Sequence, residues 1–142
     1  MDTIYTEEST PAIARALLES ISSNPEGATV IGLSGELGAG KTTLVKSVAE
    51  VLGITETITS PTFVIAKQYG IPDKNWRTLI HIDAYRIESI DELMPIGWES
   101  MIEMPETLII VEWPERIEEA LPSDTKRFAL SHQGESRHIS VL

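Results

Sequence analysis

The chain has 142 residues, 42% of them apolar, and a formal net charge of −11. This suits one globular domain over residues 1–142, and no apolar run approaches the ~18 residues of a membrane-spanning helix. The acidic balance argues against direct, tight binding to a phosphate backbone and favours solubility or docking on a basic protein. The lack of cysteine excludes disulfides, zinc–thiolate sites and thiol nucleophiles.

In chain order, a short strand is expected at residues 3–6. Ser9 and Thr10 read as a helix N-cap with Pro11 at the first helical position, and Ile13, Ala16, Leu17 and Ile21 give that helix an apolar face. The acidic start lacks the apolar stretch of a signal peptide, so a cytoplasmic location is expected. A loop with Asn24, Pro25 and Gly27 leads to a strand at residues 29–34, and a helix follows at residues 43–52, capped by Gly53. Residues 63–69 and 77–83 read as a hairpin turning at residues 72–75. Residues 89–104 read as mostly helical, broken by Pro95 and Gly97. Residues 107–111 form the most apolar strand, ending in Glu112 and suited to burial on both faces. A short helix at residues 115–121 and a terminal hairpin turning near Gln133-Gly134 complete an α/β chain. The fold expected is a three-layer P-loop NTPase type, with a parallel core sheet extended by antiparallel strands.

Between the strand at residues 29–34 and its helix stands Gly35-Glu-Leu-Gly-Ala-Gly-Lys-Thr-Thr43, a complete G-x-x-x-x-G-K-[ST] loop. Its glycines let the backbone turn tightly around an anion. Its N–H groups would cradle phosphates where the helix dipole also favours negative charge. Residues 35–43, namely Gly35, Glu36, Leu37, Gly38, Ala39, Gly40, Lys41, Thr42 and Thr43, are therefore the expected nucleotide-binding set. Lys41 would reach the β- and γ-phosphates, and the Thr42 hydroxyl would ligate Mg²⁺.

A phosphate-binding loop of this kind needs a carboxylate at the end of a neighbouring apolar strand. Two strands qualify, ending at Asp83 and Glu112. One acid would serve the metal and the other would orient or deprotonate water; spacing alone leaves open which does which. Thr62, in Ser60-Pro-Thr-Phe63, is a candidate switch threonine toward Mg²⁺ and the γ-phosphate. Trp113 should point away from the Glu112 side of its strand, and His81 reads as a structural hydrogen-bond donor. Met94, Ile96, Trp98, Met101 and Met104 make a soft apolar group suited to core or partner contact. No Asn-Lys-x-Asp guanine-reading signature occurs, so ATP is expected rather than GTP.

With these residues in place, the chain resembles the TsaE (YjeE) family, small bacterial P-loop ATPases of tRNA threonylcarbamoyladenosine biosynthesis. The resemblance covers nearly the whole chain. It rests on residues 35–43, on Ser60-Pro-Thr-Phe63, on His81-Ile-Asp-Ala-Tyr-Arg86 and on Val111-Glu-Trp-Pro-Glu-Arg116. Ala84 departs from the leucine usual before Tyr-Arg, at a packing position. The resemblance implies an ATPase that sustains turnover of the TsaB–TsaD pair, reaches tRNA only through that complex, and does not itself transfer the threonylcarbamoyl group. It implies that Lys41 binds phosphate, that Thr42 and Glu112 hold Mg²⁺, and that Asp83 supports hydrolysis. It also implies that the adenine lies near the segment from Thr6 to Thr10 and near Arg137. The place of Trp113 directly after Glu112 suits contact with the nucleotide, contact with a partner or core packing alike.

Two other functions fit a P-loop. A small-molecule kinase would need a second, arginine-rich substrate region, and the six arginines here are scattered. A non-catalytic ATP-gated assembly module would not need two strand-end acids.

Overall fold

Strand β5 (Thr107–Glu112) is buried at every position, because Leu108-Ile-Ile-Val111 offers no polar face to water. It lies inside the sheet, parallel to both β2 (Ala28–Ser34) and β4 (Thr78–Asp83). The computed structural model describes residues 1–59, 65–72 and 75–142. The segment Ser60-Pro-Thr-Phe63, with Thr62, lies outside the described residues, as do two residues of the turn at 72–75.

The other strands are β1 (Asp2–Tyr5), β3 (Ala66–Gly70), β6 (Lys126–Gln133) and β7 (Ser136–Val141). Among the described residues they form one seven-stranded sheet in the order β1-β7-β6-β2-β5-β4-β3. β4, β5, β2 and β6 run parallel; β3 and β7 flank this core antiparallel, and β1 pairs antiparallel with β7 at the outer edge.

Alternation along the strands divides the core. Ile31, Leu33, Leu79, Leu108 and Ile110 pack with the residues of α1 (Thr10–Glu19) and α2 (Lys41–Val51). Val30, Ile80, Ile82, Ile109 and Val111 pack against a second layer, made of 3₁₀ turns at Ile90–Leu93 and Pro114–Ala120 and the short α3 (Trp98–Met101). Each fully buried aliphatic side chain contributes about 1.5–3 kcal/mol by leaving water. The same period of two puts His81 and Asp83 on the face of Leu79, and Glu112 on the face of Leu108 and Ile110.

Local readings differ from the structure at several points. Ser9 holds the N-cap position, but its hydroxyl makes no cap; a 3₁₀ turn (Glu7–Ser9) precedes it, and the Thr10 hydroxyl donates back to the Glu7 carbonyl at 2.6 Å. In α1 the buried small residue is Ala14 rather than Ala16, because Ile13, Ala14 and Leu17 face α2 and the sheet. Helix α2 begins at Lys41, two residues before the expected start. The segment at 89–104 breaks where Pro95 and Gly97 stand, but only four residues, Trp98–Met101, are α-helical. The expected helix at 115–121 is a 3₁₀ segment kinked at Ile117 (φ −129°), whose side chain is drawn fully into the core. Met94 is 78% exposed, whereas Trp98 and Met101 of the same apolar group are buried.

Candidate nucleotide site

At the carboxyl ends of β2, β4 and β5 the chain builds a cavity of about 400 Å³, the usual ligand position in an open α/β sheet. β2 ends at Ser34, and the next six residues turn the chain into the N-terminus of α2. Gly40 carries this turn at φ 98°, in the left-handed region, and the Arg137 guanidinium of β7 occupies the space where a Cβ would stand.

Lys41 is 5% exposed. Its ammonium donates to the loop's own carbonyls, those of Gly35 and, at 2.9 Å, of Glu36. It also lies 4.5 Å from the centre of the Trp113 ring, a cation–π distance. Burial lowers its pKa below that of an ordinary lysine; Glu112 opposes the shift most, followed by Asp83, Glu115 and Glu36.

Beside it, the Thr42 hydroxyl donates to Glu112, with Oγ1 3.1 Å from each carboxylate oxygen. His81 Nε2 also stands 2.5 Å from Glu112 Oε2, and His81 is wholly buried. Asp83 is the register neighbour of Glu112 across the β4–β5 pair. Its Oδ1 accepts the Tyr85 backbone N–H at 3.0 Å, which turns the chain away from the strand end. Ser34 donates to Glu115 at 2.7 Å, tying the end of β2 to the segment after β5.

Trp113 packs against the layer of Val111 and Ile117, away from the face that Glu112 shares with Leu108 and Ile110. Its ring still reaches Lys41, because the residue leaves the strand at φ 62° and ψ 53°. Its N–H bonds the Leu33 carbonyl at 3.1 Å, and Pro114 follows, which disfavours a right-handed helical conformation at Trp113. Tyr85 packs against the same ring at 4.9 Å between centroids. Sequence reading missed Tyr85, Glu115 and the His81–Glu112 bond. Tyr85 and Glu115 do stand within the motifs around Asp83 and Glu112, which is the one signal that marks them.

Of the residues expected to bind nucleotide, Leu37, Gly38, Gly40, Lys41, Thr42 and Thr43 line the cavity. Asp83 and Glu112 border it too, as do Trp113 and Arg137. Gly35 and Glu36 face Lys41 through their carbonyls, and Ala39 is buried beneath the loop. Thr6 and Thr10 do not line it. They stand in the segment that carries Glu7, whose carboxylate is 3.7 Å from Arg137. Thr62 lies outside the described residues.

The oxygens at this site suit Mg²⁺, which prefers hard oxygen ligands and is usually held by one or two carboxylates together with substrate phosphates. Thr42 and Glu112 present such oxygens at the cavity wall. Among the described residues no cluster of three or more His, Cys, Asp or Glu side chains is arranged to hold a metal alone.

A G-x-x-x-x-G-K-[ST] loop between a parallel strand and its helix, with two strand-end carboxylates beside it, defines a P-loop NTPase-type α/β fold. The family model for "Threonylcarbamoyl adenosine biosynthesis protein TsaE" matches residues 4–139, and the chain belongs to this family. A curated relative from Streptomyces coelicolor, named tRNA threonylcarbamoyladenosine biosynthesis protein TsaE, is 37% identical, covering 79% of this chain and 78% of its own. The protein of the same name from Bacillus subtilis is 38% identical over 88% of this chain and 75% of its own. A crystal structure of Bacillus subtilis YdiB superposes with a TM-score of 0.73 at 31% identity, over 99% of this chain and 83% of that one. No helix among the described residues is long and apolar enough to cross a membrane.

Proposed function

We propose that this chain binds and hydrolyses Mg²⁺-bound ATP within tRNA threonylcarbamoyladenosine biosynthesis, where it sustains turnover of a TsaB–TsaD complex without performing the group transfer. The observation that carries the reading is the meeting of Lys41, Thr42, Asp83 and Glu112 around one cavity at the start of α2. The relatives' names supply the pathway, and the sequence resemblance supplies the partners. The work is then cytoplasmic, where ATP and tRNA are available.

In this reading the backbone N–H groups of residues 38–43 bind the phosphates, and Lys41 leaves the carbonyls of Gly35 and Glu36 to meet them. Thr42 and Glu112 would hold Mg²⁺, which would supply positive charge to offset the charge of the phosphates. Asp83, on the same face one strand away, orients the attacking water. Trp113 and Tyr85 wall the cavity and keep bulk water from Lys41. Arg137 lies over Gly40 and offers its guanidinium to the nucleotide.

The test is steady-state ATP turnover by the chain alone, then with TsaB, TsaD and tRNA added. Slow Mg²⁺-dependent turnover that changes with the full set supports the reading. No hydrolysis in either condition, with the partners active, overturns it.

A further inference from the structure

His81 lies directly behind Glu112 and is wholly buried, in a stretch of β4 whose neighbours Leu79, Ile80 and Ile82 are also wholly buried and apolar. A polar side chain in such a row is costly unless it is hydrogen-bonded. Its bond is to Glu112 Oε2, at 2.5 Å. A carboxylate only accepts, so Nε2 donates to it, and among the described residues Nδ1 makes no hydrogen bond. Glu112 is 3% exposed and is held from two sides, by His81 in the sheet and by the Thr42 hydroxyl at the start of α2.

We infer that His81 is a positioning residue for the metal carboxylate. It anchors Oε2 of Glu112 from inside the sheet, so that the carboxylate meets Thr42 as a preformed oxygen pair at the cavity wall. The imidazole touches neither nucleotide nor metal. Its effect passes through the orientation of Glu112, as outer-shell partners commonly orient metal ligands. The inference rests on the reading of this cavity as a Mg²⁺–nucleotide site.

The experiment titrates Mg²⁺ into the protein with ADP by calorimetry and measures ADP affinity separately in excess EDTA. Three forms are compared: the parent, His81→Phe, which fills the volume and cannot donate, and His81→Gln, whose amide nitrogen reaches toward the Nε2 position. His81→Phe should raise the Mg²⁺ concentration for half-maximal effect roughly 10- to 100-fold, with EDTA affinity unchanged. His81→Gln should recover a large part of that loss. Where His81→Phe does not fold, judged by its thermal transition, His81→Leu carries the same comparison. A parental Mg²⁺ titration in the Phe or Leu variant overturns the inference, as does an equal loss of affinity with and without Mg²⁺. If the parent itself shows no Mg²⁺ effect on ADP affinity, the metal reading of the site falls first, and the inference falls with it.

Discussion

Thr42 and Glu112 stand 70 residues apart in the chain, yet the threonine hydroxyl lies 3.1 Å from both oxygens of the carboxylate. One begins a helix and the other ends a strand, so this contact joins the two elements that frame the cavity. Because Glu112 is almost wholly buried, it has to be paired to remain folded into the site. The oxygens assigned to the metal are thus gathered before any ligand arrives.

Replacing Glu112 with alanine should lower Mg²⁺-dependent ATP turnover by about 10²–10³-fold, the scale of removing one fixed electrostatic group. It also strips the acceptor from Thr42 and from buried His81. Stability by urea denaturation should therefore fall by about 1–3 kcal/mol. Turnover at the parental rate would move the metal to Asp83.

Asp83→Asn keeps the shape of the side chain and an oxygen for the Tyr85 N–H. Nucleotide affinity should stay within a few-fold of the parent, while turnover drops by about 10²–10⁴-fold, the range of a lost general base. Binding and single-turnover measurements separate the two. A parallel fall in affinity would show that Asp83 acts in binding instead.

Lys41 sets a pH signature with two opposite signs. Burial depresses its folded-state pKa below the unfolded value of 10.5. Between those values the unfolded chain carries more protons, so this group's contribution to stability rises with pH. Phosphate affinity depends on the ammonium, so it falls with rising pH and begins to fall earlier than for an ordinary lysine. Lys41→Met should remove both slopes and weaken ATP at neutral pH by about 10- to 100-fold. Thermal midpoints and ATP affinities over an alkaline series check this.

Gly40→Ala tests the crowding over the loop. The residue sits at φ 98°, where an L side chain costs about 1–2 kcal/mol. Its methyl group would also stand in the volume of the Arg137 guanidinium. ATP affinity should drop more than stability does. Adding Arg137→Ala frees the space but not the dihedral angle, so recovery should be partial. Unchanged ATP affinity in Gly40→Ala would mean that the loop accommodates the methyl group without altering its phosphate contacts.

Much of this molecule is legible in its sequence because the features involved are local. The glycine spacing of residues 35–40, the strand before it and the helix after it follow from chain period and turn chemistry. The apolar run at 107–111 announces a buried strand for the same reason. Asp83 and Glu112 each end an apolar strand, and alternation within each strand assigns them to a face once the strands are known to be parallel neighbours. The departures are also local in origin. The strand stops at Glu112 and the next residue takes a left-handed conformation, so Trp113 packs on the layer of Val111 and also reaches Lys41, which alternation alone does not give. The weak helices at 89–104 and 115–121 were overridden by the need to bury Trp98, Met101 and Ile117 against the sheet.

The sequence by itself determined where the G-x-x-x-x-G-K-[ST] loop stands and that acids end two apolar strands, because each motif is complete within a few residues. Only the tertiary structure decided that His81 bonds Glu112, that Trp113 covers Lys41 and that Arg137 fills the space over Gly40. Those contacts join residues far apart in the chain. They depend on strand order, register and layer packing, which are set by burial of the whole core and by no single segment.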